Sequence, residues 1–107
     1  MFSNKKCIPC QGGIPPLKSK EIKNFRSLIH EDWLVKNNKK LTRTFLFDNY
    51  VSALSFVNKV ANIAILEDHH PYINFNFKTV EVILFTHKID GLHENDFLMA
   101  SKIDKIN

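Results

Sequence analysis

The 107 residues include only two cysteines and three glycines, and no apolar run approaches the roughly 20 residues that a membrane span needs. Residues 1–6 carry no signal-peptide apolar region, so a soluble protein of the cytoplasm is expected, with the nucleus as a second compartment. No Gly-rich phosphate loop, exposed-serine elbow or paired-carboxylate motif is present, which removes the usual sequence signs of phosphoryl transfer and hydrolysis. Internal repeats and low-complexity blocks are absent. The cysteines form Cys7-x-x-Cys10, but a four-cysteine zinc site needs a second pair, and no strand-then-helix context supports a redox motif. The expected state is an irregular arm over residues 1–17 with reduced thiols, its Gly12-Gly13 and Pro15-Pro16 pairs marking a surface path.

What is present is enough apolar material for one core. A hydrophobic content of 44% over this length predicts a single domain, residues 1–107. The net charge is +4, yet the 13 lysines are spread along the chain and not gathered in a stripe with aromatics between them. That pattern is a solvated surface and predicts no direct nucleic-acid contact.

The first helix is expected near Ser19 as N-cap, with Glu21 in its first turn and Ile22, Phe25, Leu28 and Ile29 on its apolar face. Residues 33–35 read as a short strand, 36–40 as an Asn-rich turn and 41–47 as the hairpin partner. Asp48 is the expected cap of the longest helix. Val51, Leu54, Val57 or Asn58, Ala61 and Ala64 or Ile65 recur along it at three-to-four spacing, and Phe56, Val60 and Ile63 widen the stripe beyond one face. From Tyr72, the residues Ile73, Phe75 and Phe77 alternate with Asn74 and Asn76 as in a half-buried strand. A second strand over residues 80–87 sets Val80, Val82, Leu84 and Thr86 against Glu81, Ile83, Phe85 and His87, with the turn at Lys78-Thr79. A last helix begins near Glu94. The order predicts an α+β fold, a four-stranded antiparallel sheet with three helices packed on one face. Apolar residues left over at Ile83, Phe85 and the second helix predict a further partner surface, most economically a second copy of the chain.

Candidate chemistry concentrates between Glu67 and Asp96. Pro71 disfavours helical geometry at His70, so the long helix should stop at Asp68 or His69 and leave both histidines on a turn. Neighbouring side chains in extended backbone point opposite ways, so two roles are expected of them. Hairpin pairing of the last two strands would bring His69, His70 and His87 to one end of the sheet. Imidazole both gives and takes protons near neutrality, the equipment general acid–base catalysis uses, and dehydration fits it. Three histidines would also satisfy a metal by ligand count, which is a competing use. His30 and His93 are expected on the surface.

His69-His70-Pro71, Phe77, His87 and Asp96, with Thr86-His87 and Gly91-Leu92, resemble the pattern of the pterin-4a-carbinolamine dehydratases. Residues 7–17 and 41–62 are similar to the family's opening and middle. The resemblance implies loss of water from a 4a-hydroxytetrahydropterin to give a quinonoid dihydropterin, in recycling of tetrahydrobiopterin. Carried over, it makes His69 and His87 the acid–base pair, places His70 with Asp68, Pro71 and Thr86 in substrate binding, and makes Asp96 a supporting carboxylate. No metal or organic cofactor is implied, and the family's association as homodimers or homotetramers is. Two departures stand out. Ile65 lies four residues before His69, where members carry a polar residue, and His93 replaces a Thr or Ser helix cap. Asp68 is the nearest candidate to orient His69, since Glu67 would point to another side of the helix. Because some members stabilise dimers of a transcription factor, a non-enzymatic interaction module is the alternative.

Overall fold

In the computed structural model, which describes residues 2–8 and 12–107, the chain forms a two-layer α+β fold. A single 3-10 turn, Phe2–Asn4, precedes α1 (Ser19–Arg26), β1 (Leu34–Lys36), β2 (Lys40–Leu46), α2 (Tyr50–Glu67), β3 (Tyr72–Phe75), β4 (Thr79–Leu84) and α3 (Glu94–Ile106). The strands form one antiparallel sheet in the order β1-β2-β4-β3. Both hairpins predicted from the sequence are present, and β2 joins β4 at the centre.

Period-two alternation decides which face each strand buries. Leu41, Arg43 and Phe45 of β2 and Val80, Val82 and Leu84 of β4 are buried under the helices, whereas Thr44 and Leu46 are exposed on the other side. The core continues into the helices through Phe56, Val60, Phe97, Met99 and Ile103. Each such side chain stabilises the fold by about 1.5–3 kcal/mol through removal from water. Phe45 of the sheet and Phe56 of α2 tie the layers together, 4.5 Å apart between ring centroids, and within the helical layer Phe25 stacks on Phe97 at 5.4 Å.

Several boundaries differ from expectation for local reasons. Lys18 and not Ser19 is the N-cap of α1, its backbone N–H donating to Glu21 Oε1 at 2.9 Å. Leu28 lies past the helix end at Arg26 and is exposed. Trp33 precedes β1; it is fully buried, and its indole N–H donates to Asp104 Oδ1 at 2.7 Å. Asn49, one residue after the expected Asp48, caps α2 by accepting from the Ser52 N–H at 2.8 Å. The chain is still tied to the sheet at Phe47, whose N–H donates to the Lys78 carbonyl at 2.8 Å, so the helix begins later.

The buried stripe of α2 is Ala53, Phe56, Val60 and Ala64: of the two alternatives Ala64 and Ile65 the alanine is inward, Phe56 and Val60 of the widened stripe join it, and Val51, Leu54 and Ile65 are exposed. Both stripes are apolar and periodicity cannot choose between them; the two small alanines fill the inward one. β3 stops at Phe75, and the N–H of Asn76 donates to the Thr79 carbonyl at 2.9 Å, so the turn centres on Phe77-Lys78 and leaves Phe77 exposed. β4 stops at Leu84, short of the expected residue 87; Thr86 beyond it is still buried as expected, and His87 opens a 3-10 turn, His87–Ile89.

Candidate active site

α2 ends where Asp68 takes a left-handed conformation, φ 51° and ψ 43°. That reversal, followed by Pro71, delivers His69 and His70 on the connection into β3. On the neighbouring strand, Thr86 pairs with Gly91 through a 2.8 Å hydrogen bond from the Thr86 N–H, closing the loop that carries His87. Gly91 is required there because a Cβ would stand 2.6 Å from the side chain of Pro16.

The two loops meet at the first turn of α3. His93 is the N-cap of that helix, its Nδ1 accepting from the Asn95 N–H at 3.0 Å. Asp96 is fully buried and binds three segments at once. Its Oδ2 accepts from the Thr86 hydroxyl at 2.8 Å and from the His93 N–H at 3.0 Å, and its Oδ1 lies 2.6 Å from His69 Nε2. A carboxylate only accepts, so His69 donates through Nε2 and the neutral ring keeps Nδ1 as its free lone pair. Asp96 therefore orients His69, and Asp68 does not: it is exposed on the cleft rim. Asp96 lies 27 positions from His69 in sequence, and only the packing of α3 against the strand end brings the pair together.

The cleft has a volume of about 310 Å³ and is lined by Ile8, Asp68, His69, His70, Phe85, Thr86, His87, Lys88 and Asn95. His69, His70 and His87 thus share one concavity at one end of the sheet, together with Asp68 and Thr86. Pro71 is half-buried outside the lining, and Asp96 stands behind it. His87 is exposed and leans on Phe85, ring centroids 5.9 Å apart, while Tyr72 meets the other part of Phe85 edge-on at 5.3 Å. A second hollow on the outer sheet face, lined by Thr44, Asn74, Phe75, Asn76, Thr79 and Glu81, has Glu81 as its only titratable group. Among the described residues no group of three or more histidine, cysteine or acidic side chains is placed to hold a metal ion. Nor is any helix among them long and apolar enough to cross a membrane.

Ile8, Lys88 and Asn95 were not singled out from sequence, and Phe85 was expected on a partner surface, not in the cleft. Asn95 carried a signal, its position beside Asp96 in the opening turn of a helix; Ile8 carried none, because only the path of the arm brings it near. Glu67 has a different task from orienting an imidazole. Its Oε1 accepts from the Cys7 N–H at 3.0 Å and so holds the N-terminal arm to the end of α2. Burial, with the Glu67 charge beside it, pushes the Cys7 thiol up to about 12, so at neutral pH it is protonated. Cys10 lies outside the described residues. Ile65 is exposed and absent from the cleft lining, so the departure there takes nothing from the described wall.

Fold and site together define a class: a two-layer α+β protein with a histidine-lined cleft where its sheet meets the first turn of the last helix. A family model described as pterin 4 alpha carbinolamine dehydratase matches residues 15–106. A protein of Alkaliphilus metalliredigens provisionally named pterin-4-alpha-carbinolamine dehydratase is 50% identical over 104 residues, 97% of this chain and 94% of its own. One of the same provisional name from Rickettsia canadensis is 46% identical, over 97% of this chain and 95% of its own. A crystal structure of a transcriptional coactivator/pterin dehydratase from Brucella melitensis superposes with a TM-score of 0.78 at 30% identity, covering 85% of this chain and 97% of that one. The chain belongs to the pterin-4a-carbinolamine dehydratase family.

Proposed function

We propose that this protein dehydrates 4a-hydroxytetrahydropterins, and that His69 and His87 carry the proton transfers. The observation that supports this most is the convergence of His69, His70 and His87 on one cleft with the His69 ring oriented by the buried carboxylate of Asp96. In a carbinolamine the hydroxyl and an N–H sit on adjacent atoms. One imidazole, protonated, delivers its proton to the hydroxyl, and the C–O bond breaks with its electron pair leaving in water. The other takes the proton from the adjacent ring nitrogen, whose electrons form the C=N bond of the quinonoid product. Protons and electrons balance with no redox partner, and one imidazole ends protonated and one neutral, their roles exchanged until solvent resets them. His70, Asp68 and Thr86 line the same cleft and are assigned to binding the pterin edge, with Pro71 fixing the turn. The physiological setting is the recycling of tetrahydrobiopterin in the cytoplasm.

The test is a titration with 7,8-dihydrobiopterin, a stable reduced pterin. Imidazole resonances of His69, His70 and His87 are expected to shift together while that of His30, held at 3.0 Å from the Asp32 N–H on another part of the surface, stays in place. Shifts confined elsewhere, or none at saturating ligand, contradict the assignment.

The exposed outer face of α2, with Tyr50, Val51, Leu54, Ile65 and Leu66 each at least 40% accessible, supports a second part of the reading. That face is assigned to a second copy of the chain, giving a homodimer or homotetramer. Light scattering at micromolar concentration is expected to return a multiple of 12.4 kDa, and the monomer mass alone would remove this assignment. The same apolar face favours the interaction-module reading over catalysis should the cleft prove inactive.

A further inference from the structure

The cleft has an apolar wall that comes from neither the sheet nor the helices. Of its described lining residues only Ile8 and Phe85 are apolar. Phe85 follows directly on β4 and is held by Tyr72 and by Lys40, whose Nζ lies 4.9 Å over its ring. Ile8 belongs to the N-terminal arm, whose described residues pair with no strand, so something else must place it. Asn95 does so. Its Oδ1 accepts from the Ile8 N–H at 3.0 Å and its Nδ2 donates to the Ile8 carbonyl at 2.6 Å, so one carboxamide satisfies both sides of the peptide as a neighbouring strand would. Asn95 is 2% exposed, whereas Ile8 is left 60% exposed at a cleft whose other described lining residues, Phe85 apart, are polar.

We propose that Ile8 is a specificity-determining residue of this site, the surface on which the face of a flat bicyclic heteroaromatic ring lies, and that Asn95 is the positioning residue that keeps it there. The inference rests on the pterin reading and deepens it. A pterin carries its donors and acceptors around its edge, so the polar side chains serve the edge and the ring face needs an apolar partner. Two parts of the cleft lining are set from one helical turn: Asp96 orients His69, and its neighbour Asn95 holds Ile8. The arm is further tied by the Cys7 N–H to Glu67 and by Lys102 Nζ to the Ser3 carbonyl at 2.7 Å, so its register does not depend on Asn95 alone.

The experiment measures the Kd of 7,8-dihydrobiopterin by fluorescence for the full chain, Ile8→Asp, Ile8→Leu and Asn95→Asp, with amide hydrogen exchange at Ile8 read in parallel. Ile8→Asp is expected to weaken binding roughly tenfold, the discrimination one apolar contact can give, and Ile8→Leu to restore it. Asn95→Asp keeps the acceptor but loses the donor, so the Ile8 amide should exchange faster and binding should fall with it. If the wild type binds and Ile8→Asp binds equally well, the specificity role is overturned while the pterin reading stands. If Asn95→Asp frees the arm without loss of affinity, the positioning role is overturned. If the wild type itself does not bind, the pterin reading fails and takes this inference with it.

Discussion

His69→Ala and His87→Ala each lower kcat for dehydration of a 4a-hydroxytetrahydropterin by about 10²–10⁴-fold, the range over which a positioned acid or base accelerates proton transfer. Both variants should fall toward the rate measured without protein. Each removes a group needed only as charge moves, and neither should change KM greatly. His70→Ala should do the reverse, raising KM while most of kcat remains. A second series separates positioning from chemistry. Asp96→Asn leaves an acceptor for Thr86 and the His93 N–H but makes the group facing His69 neutral, so the ring is no longer held by a carboxylate at 2.6 Å. Its kcat should fall less than that of His69→Ala, because the imidazole is still there. Steady-state kinetics followed by absorbance read all four variants, and equal loss of binding across the three histidine variants contradicts the division of roles.

The largest expected effect on stability is at Asp104, far from the cleft. Asp104→Ala destabilises the fold by about 3–5 kcal/mol, since it strips the partner from a buried cation. Arg43 is 8% exposed on the helix-facing side of β2, and its Nη1 donates to Asp104 Oδ1 at 2.7 Å. The same oxygen accepts from the Trp33 indole, and Oδ2 accepts from the His30 N–H at 2.9 Å, so three donors depend on one carboxylate. The remaining partners cannot compensate. Arg43 Nε has no acceptor among the described residues, Asp32 lies 3.9 Å from Nη2, and the Phe45 ring, 4.3 Å from the guanidinium, offers only a cation–π contact. Asp104→Asn should lose less, because an amide oxygen still accepts. Urea unfolding checks both, and a loss near 1 kcal/mol or below for Asp104→Ala would mean that the pair contributes like a surface ion pair.

The parts of the molecule legible in the sequence are those governed by neighbours in the chain. α2 runs to Glu67 with Asp68 as its left-handed cap, at the edge of the stop expected ahead of Pro71, and Val80, Val82, Leu84 and Thr86 are buried as their alternation predicts. Order, hairpins and layer arrangement followed from such local signals. The face of α2 was not legible, because two apolar stripes run along it and only the packed alternatives distinguish Ala53–Phe56–Val60–Ala64 from Val51–Leu54–Ile65. The cap moved from Asp48 to Asn49 because a sheet hydrogen bond at Phe47 decides where helix can start.

The site divides in the same way. The three histidines could be gathered at one end of the sheet from strand pairing alone, but the partner of His69 could not be found by adjacency. Asp68 is next in sequence but lies exposed on the cleft rim, while Asp96 reaches His69 through tertiary packing. The arm is the extreme case: Ile8 and Asn95 are 87 positions apart, and nothing short of the fold connects them.

Whether this histidine-lined cleft dehydrates pterin carbinolamines is decided by one rate. The loss of freshly generated 4a-hydroxytetrahydropterin is followed by absorbance with wild type, with the His69→Ala/His87→Ala double variant, and with no protein. Acceleration by wild type that disappears in a folded double variant is the predicted result. A wild-type rate equal to that of the blank, from protein that is folded and associated, would contradict the claim and leave the exposed face of α2 as the functional surface.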